Sequence, residues 1–207
     1  MTDLTRKLLS EVDPHVGNTP LHESAKSPNS LSLTILLISG SDVNAINKKG
    51  YTALHVASRS GLDGHCHILL DYGANPNAIG NSDHPKTPLH VSRTQKVVHV
   101  LLDHGANPYH VSKNKSVMDV LLQRNPPAVE ELLNLGIETN GQELDSADLQ
   151  IIFNFEIFFH EGKLSLTENG DDAMQVNEMD AHKKIIESNH KDLLKHPLAE
   201  AFLHFKW

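Results

Sequence analysis

Histidine, cysteine and paired carboxylates are the side chains most able to do chemistry, and this chain of 207 residues holds 15 histidines, 26 acidic residues and one cysteine. The densest cluster is His65-Cys66-His67, a set that could ligate zinc or present a thiol nucleophile. On a helix, positions i and i+2 point roughly 200° apart, so the two imidazoles cannot converge on one ion. Cys66 then reads as a small packing residue. Serine, histidine and aspartate are plentiful, but none sits in a G-x-S-x-G turn of the kind that exposes a strained nucleophile. Glycine-rich phosphate loops are absent from the sequence. Asp145–Asp148 and Asp171–Asp172 lack the alternating spacing of a calcium loop and read as solvated surface. The expectation is a chain that is not an enzyme and has no cofactor, metal or catalytic residue.

Three histidines remain that recur at a fixed interval. Thr19-Pro20-Leu21-His22, Thr52-Ala53-Leu54-His55 and Thr87-Pro88-Leu89-His90 have threonines 33 and 35 residues apart. Each string is followed by a paired-apolar ending that closes on Gly40, Gly73 or Gly105, spaced 33 and 32 residues apart. The elements follow from the residue types. Threonine offers an oxygen to the unpaired amides of a first helical turn, and proline at the first helical position loses no hydrogen bond. Ala25 and Ala57 allow two helices to approach closely, and the closing glycine supplies a left-handed C-cap. Asn75-Pro76 and Asn107-Pro108 then impose extended backbone that starts a connecting finger. The third copy is three residues shorter than the second between its histidine and its glycine, so its first helix is expected to be clipped. Ser116-Val117-Met118-Asp119 and Leu132-Leu133-Asn134-Leu135-Gly136 form a fourth, degenerate copy.

The period and the T-P-L-H string resemble the ankyrin-repeat family. The resemblance implies a mainly α solenoid of helix pairs, three clear repeats and one degenerate, in which each repeat buries a face on the next. It also implies that His22, His55 and His90 make hydrogen bonds between repeats.

Composition bounds the rest. A single cysteine excludes an internal disulfide and suits a reducing compartment. No apolar run approaches the roughly 20 residues of a membrane span, and the N-terminus lacks the apolar core of a signal peptide. A cytoplasmic chain is therefore expected. Residues 1–137 carry 12 acidic and 12 basic side chains, whereas residues 138–207 carry 14 and 6, so the whole net charge of −8 lies in the last seventy residues. A neutral body with an acidic tail does not suit nucleic acid. This break places one boundary at residue 138. The expected division is an N-terminal capping helix in 1–16 (Leu4–Val12), repeats in 17–137 and a linker in 138–207.

Within the linker, residues 149–159 place Leu149, Ile151, Phe153, Phe155, Ile157 and Phe159 at alternate positions, which predicts a strand. Residues 161–180 read as an acidic loop and residues 178–207 as helices, with Pro197 starting the second. The ending Leu193-Leu194-Lys195-His196-Pro197-Leu198, Phe202-Leu203 and Lys206-Trp207 resembles the pre-membrane linker of TRPA-type (painless- and pyrexia-like) transient receptor potential cation channels. That resemblance implies the intracellular part of a membrane channel, itself a homotetramer, without its pore. The alternative is a free-standing soluble adaptor. Both readings make the chain a protein-interaction scaffold with a protein partner. The candidate contact residues are the finger residues Lys48, Lys49 and Tyr51, the second finger's Asn81, Ser82, His84 and Lys86, and Arg59, with Lys26 at the equivalent point one repeat earlier. Tyr51 is expected to be an exposed anchor.

Overall fold

Each threonine–histidine string starts a short helix: α1 (Pro20–Ser24), α3 (Ala53–Ser60) and α5 (Pro88–Val91). In the computed structural model, which describes residues 7, 9–113, 115–135, 137–139, 151–153, 191–197 and 199, all three open on a capping box with histidine in the place usually held by glutamate. The threonine amide donates to the histidine Nδ1 over 3.2 Å at Thr19, 3.1 Å at Thr52 and 3.5 Å at Thr87. α5 has only four residues, as the shortened third copy predicts, because Ser92 turns to extended backbone.

The second helices are α2 (Ser30–Ile38), α4 (Asp63–Asp71) and α6 (Gln95–Asp103). Asn29 caps α2 by accepting the Leu31 amide at 2.9 Å, and Thr94 caps α6 by accepting the Val97 amide at 3.3 Å. Helices pair as α1–α2, α3–α4 and α5–α6, and like helices stack on like from repeat to repeat. The core is a file of leucines, with Leu21, Leu33, Leu54, Leu69, Leu89 and Leu101 essentially without solvent contact. Ala25 and Ala57 are wholly buried, which lets the helices close on one another. Gly40, Gly73 and Gly105 all adopt the left-handed conformation that ends the second helices.

A polar clamp ties each closing turn to the next. Asn44 Nδ2 donates to the Gly73 carbonyl at 3.2 Å, and its Oδ1 accepts the Asn75 amide at 2.9 Å. Asn77 repeats the arrangement on Gly105 and Asn107, at 2.9 and 2.6 Å. Both asparagines are exposed, so each hydrogen bond competes with water. Replacing either by alanine is expected to cost about 1–2 kcal/mol, the worth of two such bonds. Urea denaturation checks this, and an unchanged midpoint would remove the clamp from the account of stability.

The N-terminal expectation needs correction. Lys7, Leu9 and Ser10 are helical, but Glu11 and Val12 are not, and residues 1–6 and Leu8 lie outside the described residues. Residues 14–16 form a turn instead of extending a capping helix. The Asp13 carboxylate accepts the amides of His15 and Val16, each at 2.8 Å, and Pro14 has no amide with which to continue a helix. This turn is the first repeat's own finger.

The chain separates into two compact units, residues 1–107 and 108–207, so the division falls ahead of residue 138. In the second unit, β1 (Val111–Ser112) and β2 (Lys115–Ser116) form a small antiparallel hairpin. The degenerate fourth copy follows as α7 (Val117–Arg124), a 3-10 turn (Pro126–Ala128) and α8 (Val129–Asn134). Ser116 and Asp119 rebuild the capping box, exchanging bonds of 3.1 and 2.9 Å. The predicted strand is described at β4 (Ile151–Phe153), paired antiparallel with β3 (Ile137–Thr139) in the register Glu138 to Ile152. The remainder of 149–159, the acidic loop at 161–180, the helix from 178 to 190 and the ending beyond Ala199 lie outside the described residues. Lys191–Lys195 is a 3-10 turn and not the α-helix expected, with Pro197 and Ala199 helical after it. His196 Nε2 reaches Asn134 Oδ1 at 3.0 Å, which ties this turn to the fourth copy. Among the described residues no helix is long and apolar enough to cross a membrane.

Candidate functional site

Fingers and first helices form the two walls of a groove in the first unit. The repeat histidines hold those walls together. His22 Nε2 lies 2.8 Å from the Tyr51 carbonyl and His55 Nε2 lies 2.9 Å from the Lys86 carbonyl. A carbonyl only accepts, so both Nε2 atoms carry the proton, and both Nδ1 atoms are left as acceptors for the threonines. Thr19 Oγ1 completes the arrangement at 2.8 Å and Thr52 Oγ1 at 3.0 Å. Each neutral imidazole thus joins its own helix start to the finger of the next repeat. Burial pushes the His55 pKa down to about 4, with the Lys86 carbonyl opposing it, and burial lowers His22 likewise against the Tyr51 carbonyl. His90 repeats the local half of the motif, 2.8 Å from Thr87 Oγ1.

The fingers also pack on each other. Asn47 Oδ1 accepts the amides of Lys49 and Tyr51 at 2.9 and 3.1 Å, which curls the first of these fingers around Gly50. Asn81 then bridges to it: its amide donates to the Lys49 carbonyl at 2.9 Å and its Nδ2 to the Lys48 carbonyl at 2.8 Å. Behind them Asn47 Nδ2 donates to Asn18 Oδ1 at 2.9 Å, and Asn18 Nδ2 donates to Glu23 Oε1 at 2.6 Å.

The structure redistributes the contact residues expected from sequence. Tyr51 is not an exposed anchor; it is 8% exposed. Its ring stacks on His55 at 4.7 Å and 7°, with His84 tilted against it at 6.1 Å, so it forms part of the groove's floor. Lys49, Tyr51 and Arg59 come together with Lys26, Glu23, Asp13 and Val56 around a cavity of about 310 Å³. Lys48 is turned away, its Nζ 2.5 Å from the Pro14 carbonyl. Ser82 is exposed on the second finger, whereas His84 and Lys86 are half-buried, and none of the three lines the groove. Lys26 is held 2.8 Å from Glu23, and the ammonium lowers the Glu23 pKa together with Asn18. Asp13 is spent on its own turn, whose amides lower its pKa. Lys49 and Arg59 have no carboxylate partner among the described residues, and both are exposed. The groove therefore presents two cations without an ion-pair partner among the described residues beside the buried Tyr51, and its charged lining carries a formal charge of +1.

His65 is buried and His67 exposed, so the two imidazoles of the His-Cys-His string diverge as helical geometry requires. Cys66 is buried, its Sγ 3.7 Å from Ser58 Oγ, and burial pushes its pKa up to about 12. A thiol so far from ionisation is a poor nucleophile.

The clamp residues Asn44 and Asn77 lie outside the set expected from sequence. Asn44 and Asn77 each stand four residues after a closing glycine and 33 residues apart, and that recurrence was the available signal.

The family profile of ankyrin repeats, in three copies, matches residues 1–80. Human Rabankyrin-5 is 32% identical over 140 residues, covering 68% of this chain and 12% of that protein. A probable E3 ubiquitin-protein ligase of Oryza sativa subsp. japonica, XBOS34, is 36% identical over 88 residues, covering 41% of this chain and 17% of its own length. Alpha-latrotoxin-Lh1a of Latrodectus hasselti is 38% identical over 79 residues, covering 37% of this chain and 6% of the toxin. The chain thus spans less than a fifth of each of these relatives.

Proposed function

The chain is built of ankyrin repeats, and from that premise we propose that it is a protein-interaction scaffold whose groove over residues 13–59 takes an acidic segment of a protein partner. One observation carries the reading: Lys49 and Arg59, exposed and without carboxylate partners among the described residues, line one cavity with the buried Tyr51, whose ring stacks on His55. An aromatic floor offers area at low entropy cost, and unpaired cations beside it select carboxylates and speed encounter. The rigid hydrogen-bonded fingers lower the ordering cost of binding.

Selection of peptides from a random display library against the purified chain tests the proposal. Acidic sequences are expected to be enriched. The double charge reversal Lys49→Glu and Arg59→Glu is expected to weaken their binding at least tenfold, a loss of about 1.4 kcal/mol or more. Selected peptides that bind the reversed variant equally well place the contact surface elsewhere.

The reading extends to a cytoplasmic adaptor, which fits an unpaired cysteine and a partner-binding array. The finer assignment, the intracellular part of a TRPA-type channel, rests only on the ending around Leu193–Trp207. Repeats shared with relatives of several different kinds do not favour a channel over an adaptor, and the adaptor is the reading we adopt.

A further inference from the structure

The exposed imidazole of the His-Cys-His string has a second set of neighbours. His67 and Asp71 are four residues apart on α4, so their side chains stand on one face. α4 packs against α6 of the next repeat, and the C-cap of α6 is His104. A donor atom from each of His67, Asp71 and His104 lies within 4.8 Å of the other two. The His67 and His104 rings meet edge to face, 5.1 Å apart at 90°.

The tautomer of His104 is set from behind. Its Nδ1 lies 2.8 Å from the Val100 carbonyl, which can only accept, so Nδ1 carries the proton. The neutral ring's lone pair is then on Nε2, which faces Asp71 Oδ1 across 3.9 Å. That gap is too long for a hydrogen bond. A backbone carbonyl that holds the far nitrogen of a histidine is the usual support of a metal-ligating imidazole.

We propose that His67, Asp71 and His104 form a site for a divalent transition-metal ion of the zinc class, bridging the second helices of repeats two and three. Two imidazole nitrogens and one carboxylate oxygen suit zinc, which accepts three protein ligands and fills the rest of its shell with water. Calcium and magnesium call for all-oxygen shells. Metal bonds of about 2.0–2.2 Å bring neighbouring donors to roughly 3.3 Å, so donors now within 4.8 Å of one another must draw together by up to about 1.5 Å. His67 and Asp71 are exposed, and exposed side chains make that adjustment by small rotations about χ1 and χ2.

The test uses the full chain without a polyhistidine tag, titrated with zinc chloride against a chromophoric chelator. One equivalent is expected to bind, and zinc is expected to raise the thermal midpoint of unfolding. His67→Ala, Asp71→Asn and His104→Ala should each weaken zinc binding at least tenfold and abolish the thermal shift, with circular dichroism unchanged. Cobalt(II) should show visible d–d absorption in the parent chain and lose it in the same variants. His99→Ala removes an exposed histidine outside the proposed ligand set, 3.3 Å from Asp103, and should leave binding intact. A parent chain that binds no stoichiometric zinc overturns the proposal. So does a triple variant that retains the metal, or a His99→Ala loss as large as that of His67→Ala.

Discussion

Acidification from about pH 7 to about pH 4 lowers the stability of the array by about 3 kcal/mol through His55 alone, the value of moving a histidine from 6.5 unfolded to about 4 folded. In the unfolded chain the imidazole takes a proton as pH falls through 6.5; in the folded chain it takes one only near 4. Between these values the unfolded state binds more protons, so stability falls as pH falls. The contribution is fully present above 6.5 and gone below the folded value. His22 titrates in the same direction for the same reason, its burial outweighing its bond to the Tyr51 carbonyl. The physical event is the loss of the Nδ1 acceptor: a protonated ring donates from both nitrogens and meets the Thr52 amide with a like donor. Urea unfolding at stepped pH reads the slope. His55→Gln keeps a capping side chain without a titrating group, and its profile should be flatter over the same window. Parallel profiles for the two proteins would assign the acid sensitivity to other groups.

Two left-handed glycines should respond very differently to alanine. Gly73 has φ +85° and open space around an added Cβ, so Gly73→Ala is expected to cost only the strain of the left-handed region, about 1–2 kcal/mol. Gly50 has φ +72°, but an added Cβ would run into the backbone of Gly80 and Asn81 on the neighbouring finger. Relief requires the fingers to part, which breaks the bonds from Asn81 to the Lys48 and Lys49 carbonyls. Gly50→Ala is therefore expected to cost about 3 kcal/mol or more, the strain plus two lost bonds. Chemical denaturation of the two variants side by side measures the difference. Equal losses would mean that the fingers yield freely and that their packing does not organise the groove.

The repeats were legible because their signals are local. A threonine, a histidine three residues on and a closing glycine each act within one helical turn, so period and residue type were enough to place α1 to α6 and the degenerate α7 and α8. The burial of Tyr51 escapes a local reading because part of it comes from a finger about thirty residues downstream, where Gly80 and His84 meet its ring. The asparagine clamps were passed over for a related reason: their partners are main-chain atoms of the next repeat. His67, Asp71 and His104 could not be grouped from spacing, since the third member arrives only through the packing of α4 on α6. The apolar pattern of Leu4–Val12 outruns the helix, and beyond it the Asp13 carboxylate takes the amides of His15 and Val16 and holds a turn.

The clamps of Asn44, Asn77, His22 and His55 all grip main-chain atoms of the following repeat. Main-chain atoms are the same whatever side chains surround them. A repeat that keeps a threonine–histidine start and an asparagine after its closing glycine can therefore be copied, inserted or exchanged without redesign of its neighbour. Lys49 and Arg59, which line the groove, are left outside this coupling and are at liberty to diverge. In evolutionary terms the joint and the recognition surface are separate heritable traits, so such a gene can lengthen its array by duplication and change its partner by drift in a handful of codons.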